Sequence, residues 1–228
     1  MSAHHLPGDP PVPLILRRSA RARRISLRVS SLDGRVTLTL PKSLPEREAL
    51  DFAAEKEGWI RGHLSRQPEV VAVSFGTVLP VAGRALRVAQ GHARGVRIVG
   101  EELLVGGKRP AKSLERYLKE LARDHLAAAS DDYAAQLGQP FSRLTLRDTR
   151  SRWGSCSSAG ALMYSWRLIL APPEVLRYVA AHEVAHLQEM NHAPAFWSLV
   201  HTLYGDYRAP RDWLRKNGSQ LHRYIFTD

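Results

Sequence analysis

His182-Glu183-Val184-Ala185-His186, with Asn191-His192 just beyond it, decides how this chain is read. Histidines four positions apart share one face of an α-helix, roughly 5–6 Å apart at Cβ. Two imidazoles so placed can hold one metal ion, and catalytic Zn²⁺ takes three protein ligands plus a water. Glu183 lies about 100° further round the helix than His182, beside the metal's open position. There a carboxylate can take a proton from that water, which makes H-E-x-x-H the pattern of zinc-assisted peptide hydrolysis. The chance of such a pattern in a chain of this composition is about 2 %, and its helical setting lowers that further.

The flanks supply that setting. Residues 175–181 contain neither Gly nor Pro and are apolar apart from Arg177. Pro172-Pro173-Glu174 suits a helix start, where proline is tolerated and acids meet the positive end of the helix dipole. Residues 187–191 can finish the helix, since Asn tolerates the left-handed conformation of helix ends. Pro194 suits the start of the next helix, which leaves His192 at the corner between the two. His192 is therefore one candidate for the third ligand. Asp206, twenty residues after His186, is the rival; His192 is favoured, because imidazole suits zinc and a corner residue needs no long-range coincidence. No Glu follows Glu189, so a downstream glutamate ligand is excluded.

A net charge of +11 raises the question of nucleic acid. Much of it lies in Arg17-Arg18-Ser19-Ala20-Arg21-Ala22-Arg23-Arg24, which runs into the strand-like alternation of Ile25-Ser26-Leu27-Arg28-Val29. No aromatic residue is interleaved with these arginines, which argues against a stacking platform for single strands. A single cysteine, Cys156, excludes an intrachain disulfide and suits a reducing compartment. Neither a leader-like start nor a run of eighteen apolar residues is seen, so the expected address is the cytoplasm, with no membrane partner.

Along the chain, residues 1–13 are Pro-rich and read as a loose arm. Residues 24–29 and 35–40 read as a hairpin through the Asp33-Gly34 turn, and residues 44–66 as a helix ended by Pro68. Short strand candidates cover 70–75, 77–81, 86–89, 96–99 and 103–105, and Gly106-Gly107-Lys108-Arg109-Pro110 is the best boundary. A helix capped by Ser113 is expected to run to about residue 137. Strands are expected over 144–147 and 161–170, either side of a turn-rich segment, 150–158. Helices follow at the metal motif, after Pro194 and over 208–221. The order is α+β, with an arm (1–13), a β-rich region with one helix (14–108) and a metal-motif region (109–228).

Arg152-Trp153-Gly154-Ser155-Cys156, Trp166-Arg167-Leu168, Tyr178-Val179-Ala180-Ala181 leading into the metal motif, Asn191-His192 and Phe196-Trp197 together resemble the YgjP-like metallopeptidases. That family is similar to the SprT and WLM zincin-type domains. The likeness is tight over about residues 145–200 and looser over about 20–225. It implies a zincin-like α+β fold, zinc on His182, His186 and His192, Glu183 as general base, and a protein or peptide substrate. One departure is visible: family members often carry Asn where this chain has Ser165. Tyr164, Arg152, Tyr204 and Tyr207 are candidates to stabilise the oxyanion, and the rim at 150–158 to pair with a substrate strand. Trp153, Trp166, Phe196 and Trp197 read as packing residues, and Gly154 as a turn residue. Three rival readings remain. The chain could be a basic DNA-associated protein with a structural or regulatory zinc. It could be a SprT-like protease acting on DNA-bound proteins. It could hydrolyse a non-peptide amide.

Overall fold

The computed structural model describes residues 4–30, 34–65 and 69–228, which fall into two compact units, Met1–Glu69 and Val70–Asp228. Asp33 of the expected turn and Pro68 of the expected helix stop lie outside the described residues.

The first unit is a four-stranded sheet with two helices. Strands β1 (His4–Leu6), β2 (Val12–Ser19), β3 (Ser26–Val29) and β4 (Val36–Pro41) pair in the order β1-β2-β4-β3. Only β2 and β4 run parallel. From His4 onward the expected loose arm is thus a strand and a turn, because Leu6 and Val12 are buried in the core of this unit. The expected single helix is two, α1 (Glu46–Glu55) and α2 (Glu57–Leu64), meeting at Lys56. Gly58 and Gly62 weaken helix propensity just beyond that break. Ala49, Ala53 and Ile60 join Val36, Leu38 and Leu40 in the core.

The second unit carries the metal motif. After the short β5 (Val71–Ala72), strands β6 (Val78–Val81), β7 (Arg84–Gln90), β8 (Gly95–Val99) and β9 (Glu102–Gly106) form a sheet in the order β6-β7-β9-β8. Helix α3 (Pro110–Leu137) follows. It starts three residues earlier than expected: Ser113 is not its cap, because Pro110 takes the first turn, where a missing N–H costs nothing. Gly138, at φ +71°, closes it in the left-handed conformation that glycine adopts freely.

A second sheet has the order β10-β12-β11, built from β10 (Arg143–Arg147), β11 (Gly154–Cys156) and β12 (Ala161–Ser165). Strand β11 lies inside the segment read as turn-rich. The apolar run 161–170 is only half strand, because Trp166–Leu170 coil into a 3₁₀ turn with every side chain buried. A continuous apolar run shows burial but not period, so strand and tight helix look alike in sequence. Helices α4 (Pro173–Ala185), α5 (Pro194–Tyr204) and α6 (Arg208–Asn217) complete the layer. The last expected helix breaks at Gly218 into a 3₁₀ turn and β13 (Tyr224–Ile225), which pairs parallel with β5. The core of this unit is continuous from Leu79 and Leu103 through Leu118 and Leu162 to Val184 and Phe196. The Gly106–Pro110 stretch is no boundary between units: it joins β9 to α3 within the second unit. None of the helices is long and apolar enough to cross a membrane, among the described residues.

Candidate metal centre

Helix α4 is a buried rod. Pro173 stands in its first turn with Glu174 beside it, and nine of its residues, from Val175 to Ala185, are buried. That packing fixes the rotation of the helix and so the direction of His182 and His186. The helix stops at Ala185, with His186 as its C-cap. Residues 187–189 fold into a tight turn rather than a further helical turn: the Leu187 and Glu189 amides return to Val184 O (2.9 Å) and Ala185 O (3.0 Å). At the corner the Asn191 side-chain oxygen accepts the Ala193 N–H at 3.0 Å. Asn191 thus acts through a side-chain turn, not through a left-handed backbone. The turn delivers His192 just ahead of Pro194.

His182, His186 and His192 come together with one ring nitrogen each, all within 4.8 Å of one another. His192 Nε2 lies 3.1 Å from His182 Nε2. Two nitrogens on one tetrahedral zinc, each bonded at 2.0–2.1 Å, stand about 3.3 Å apart, so the spacing fits that ion. His186 Nδ1 lies 2.8 Å from the Glu189 carbonyl. A carbonyl only accepts, so Nδ1 carries the proton and Nε2 keeps the lone pair a metal needs. His182 Nδ1 is buried with no partner among the described residues, so no hydrogen bond at that nitrogen fixes the ring. Phe196 is the common support: its centroid is 4.8, 4.4 and 4.8 Å from those of His182, His186 and His192. His192 is exposed and leaves the cluster open on one side. Burial, with help from the neighbouring histidines, pushes His182 down to about 3, and burial lowers His186. Neutral imidazole is the metal-binding form.

Glu183 is buried against β11. A Cβ at Gly154 would stand 2.5 Å from Glu183 Oε1 and 2.6 Å from its Cγ, so any larger residue there would displace the Glu183 side chain. Gly154 therefore belongs to a strand that makes room for the carboxylate, and its reading as a turn residue is corrected. The Cys156 backbone N–H donates to that carboxylate. Burial pushes Glu183 up to about 8, against the opposing pull of Arg152 and the Cys156 amide. Burial also raises the Cys156 thiol, with the Glu183 charge adding to it, which leaves Cys156 no activated thiolate.

The remaining candidates separate. Asp206 is exposed and occupied by Arg208, which donates from Nε at 2.8 Å and Nη2 at 2.9 Å, and it is absent from the cluster. Tyr164 is fully buried, 3.0 Å from Ser130 Oγ, and Tyr204 donates to Glu174 O at 2.9 Å. Neither hydroxyl is available to an oxyanion. Tyr207 lies beside the site, stacked on Tyr178 and Trp197. Arg211, which sequence reasoning missed, lies 4.4 Å over the Trp197 ring and acts electrostatically on His182. Its signal was hidden, because a surface arginine on a late helix looks like any other. Ser165 is fully buried, its Oγ lacks a partner among the described residues, and its N–H donates to Trp153 O at 2.8 Å.

A family model described as the YgjP-like metallopeptidase domain matches residues 23–217. Among solved structures, the metallopeptidase zymogen of Pyrococcus abyssi abylysin matches at 20% identity with a TM-score of 0.32, over 48% of this chain and 97% of that one. No curated protein matches.

Proposed function

The chain belongs to the YgjP-like metallopeptidases, and on that premise we propose that it hydrolyses peptide bonds with zinc held by His182, His186 and His192 and with Glu183 as general base. One observation carries the reading: three imidazoles converge within 4.8 Å, and the intervening carboxylate is clamped by the Cys156 amide over a glycine. Bound zinc would polarise the scissile carbonyl and make water a nucleophile near neutral pH. The chain's own residues do the rest. Glu183 takes the proton of the attacking water and passes it to the leaving nitrogen. Gly154 and the Cys156 amide keep its carboxylate from turning away. Strand β11 is a sheet edge, and a peptide in extended form adds to it by main-chain hydrogen bonds. Tyr207, stacked on Tyr178 and Trp197, and Arg211, over the Trp197 ring, are the candidate donors to the oxyanion, while Arg152 steadies the charge on Glu183.

The test is Glu183→Gln, assayed by a peptide-library digest. We expect metal to be retained and hydrolysis to fall by about 10²–10⁴-fold, the usual worth of a general base. Undiminished hydrolysis would overturn the assignment of Glu183. Peptide products in that digest would also separate this activity from hydrolysis of a non-peptide amide.

A second reading has its own observation. Arg17 and Arg28 lie on the solvent face of the β1–β4 sheet, and exposed Arg21, Arg23 and Arg24 follow β2. A basic face without aromatic residues suits the phosphate backbone of duplex DNA. We infer from it that the peptidase meets DNA-bound proteins. Steep weakening of DNA affinity with salt supports this, and salt-independent or absent binding contradicts it. The single cysteine supports a cytoplasmic address.

A further inference from the structure

The outer face of the β10-β12-β11 sheet carries a groove for which the hydrolytic chemistry has no use. Successive side chains on a strand point to opposite faces. Leu144, Leu146, Leu162 and Tyr164 turn into the core, so Arg143, Thr145, Arg147 and Met163 turn outward. Ser155 stands opposite Met163 on the same face. With the loop 149–152 folded over one end, these residues enclose about 490 Å³. Arg143, Arg147 and Arg152 line the groove and no acidic residue does. Arg152 also acts on Glu183, but the groove itself offers these guanidinium groups no carboxylate, and three of them around one concavity call for an anion.

We propose that this groove receives acidic side chains of the substrate, so that the enzyme selects acidic polypeptides. The inference rests on the reading of β11 as the substrate-binding edge. Trp153 O and Ser157 N bond to β12, at 2.8 and 3.0 Å. Backbone groups alternate sides along a strand, so those of Gly154 and Cys156 face away from β12; the Cys156 N–H is held by Glu183, which leaves the Gly154 N–H and both carbonyls for a substrate strand. A substrate strand on that edge places the residue opposite Ser155 with its side chain on the outer face. That side chain projects over the groove. Arg152, two residues before β11, is the groove arginine nearest to that edge in the chain. Strand β10 lies three strand spacings from the added strand, about 14 Å, so its arginines meet the substrate carboxylate only with extended stems, the two side chains reaching toward each other across the groove. The planar fork of arginine matches a carboxylate with two parallel hydrogen bonds, which lysine cannot reproduce. Nucleic-acid phosphate shares this charge, but the groove is continuous with the peptide edge.

The experiment compares two fluorescent peptides that differ only in Glu against Gln at the residue facing Ser155. Binding is read on zinc-loaded Glu183→Gln protein and cleavage on the wild type. We expect the Glu peptide to be favoured by about 10-fold or more, the ordinary worth of a charge-assisted hydrogen bond. Arg143→Gln with Arg147→Gln should bring the two peptides toward parity and leave the Gln peptide's cleavage unchanged, which also certifies the fold. Arg147→Glu should favour a Lys peptide. Equal binding of both peptides by Glu183→Gln protein and equal cleavage by the wild type overturns the groove and spares the peptidase. Arginine-dependent binding of the Glu peptide without any cleavage overturns the peptidase and spares the groove. Loss of oligonucleotide binding in the double variant, with no difference between the two peptides, assigns the groove to nucleic acid and overturns the inference.

Discussion

Glycine at 154 is a positional requirement set by a residue 29 positions away. Replacing it with alanine adds a Cβ that meets Glu183 Oε1 at 2.5 Å and its Cδ at 2.8 Å. The carboxylate must move, and a displacement of about 1 Å in a catalytic group can cost about 100-fold in rate. We therefore expect Gly154→Ala to keep its metal and to lose about 100-fold in kcat, checked by metal content and peptide turnover on one preparation. Unchanged kcat would mean that Glu183 is not held against β11. The roles were unevenly legible at this scale. His182, Glu183 and His186 could be read from spacing, since a helix turns i+4 into adjacency. His192 was to be preferred over Asp206, since imidazole suits zinc and a corner residue needs no long-range coincidence, but the corner itself depends on the Asn191 turn. Gly154 and the Cys156 amide left no signal: a lone glycine reads as a turn, and a backbone donor has no letter of its own.

Among the elements, the 3₁₀ turn Trp166–Leu170 shows how a missed period matters. It swings Arg167 inward, where the guanidinium is buried. Arg167 Nε and Nη2 donate to Asp148 at 2.6 and 3.1 Å, and Nη1 donates to Leu221 O and Tyr224 O, both at 3.0 Å. One side chain thus ties the end of β10 to the C-terminal turn and β13. Burial alone would raise Asp148, but the hydrogen bonds and charge of Arg167 outweigh it and leave the carboxyl below its usual range. Arg167→Ala strands two carbonyls and a carboxylate, and we expect it to cost about 2–4 kcal/mol in chemical denaturation. Arg167→Lys should recover less than half, because an ammonium cannot span the fork. A lysine variant as stable as the wild type would contradict this bracing role. The sequence offered Trp166-Arg167-Leu168 as a strand; the run of buried residues hid the coil, and with it the inward arginine.

At the scale of the whole molecule, pH acts through a half-buried histidine in the 3₁₀ turn that follows α6. Burial, followed by the charge of Arg167, pushes His222 down to about 4. An unfolded histidine titrates near 6.5, so between about 6.5 and 4 the unfolded chain binds a proton that the folded one refuses. Stability is therefore full above about 6.5 and declines as pH falls toward 4. We expect urea midpoints of zinc-loaded protein to fall more steeply over that window in the wild type than in His222→Gln; parallel curves would contradict it. The α+β class was legible from the order of patterned segments, whereas β1 and the junction at Lys56 were not. They depend on what Leu6, Val12 and Ile60 find to pack against, and that information lies outside each local window. The central claim concerns the three imidazoles, and metal content per chain tests it most directly. Elemental mass spectrometry should be run on untagged protein, purified without added metal and again after zinc is offered and the excess removed. We expect about one zinc per chain, as three histidines and an open position require, and the same value in Glu183→Gln. Protein that retains no metal even after zinc is offered would contradict the site and the hydrolytic reading built on it.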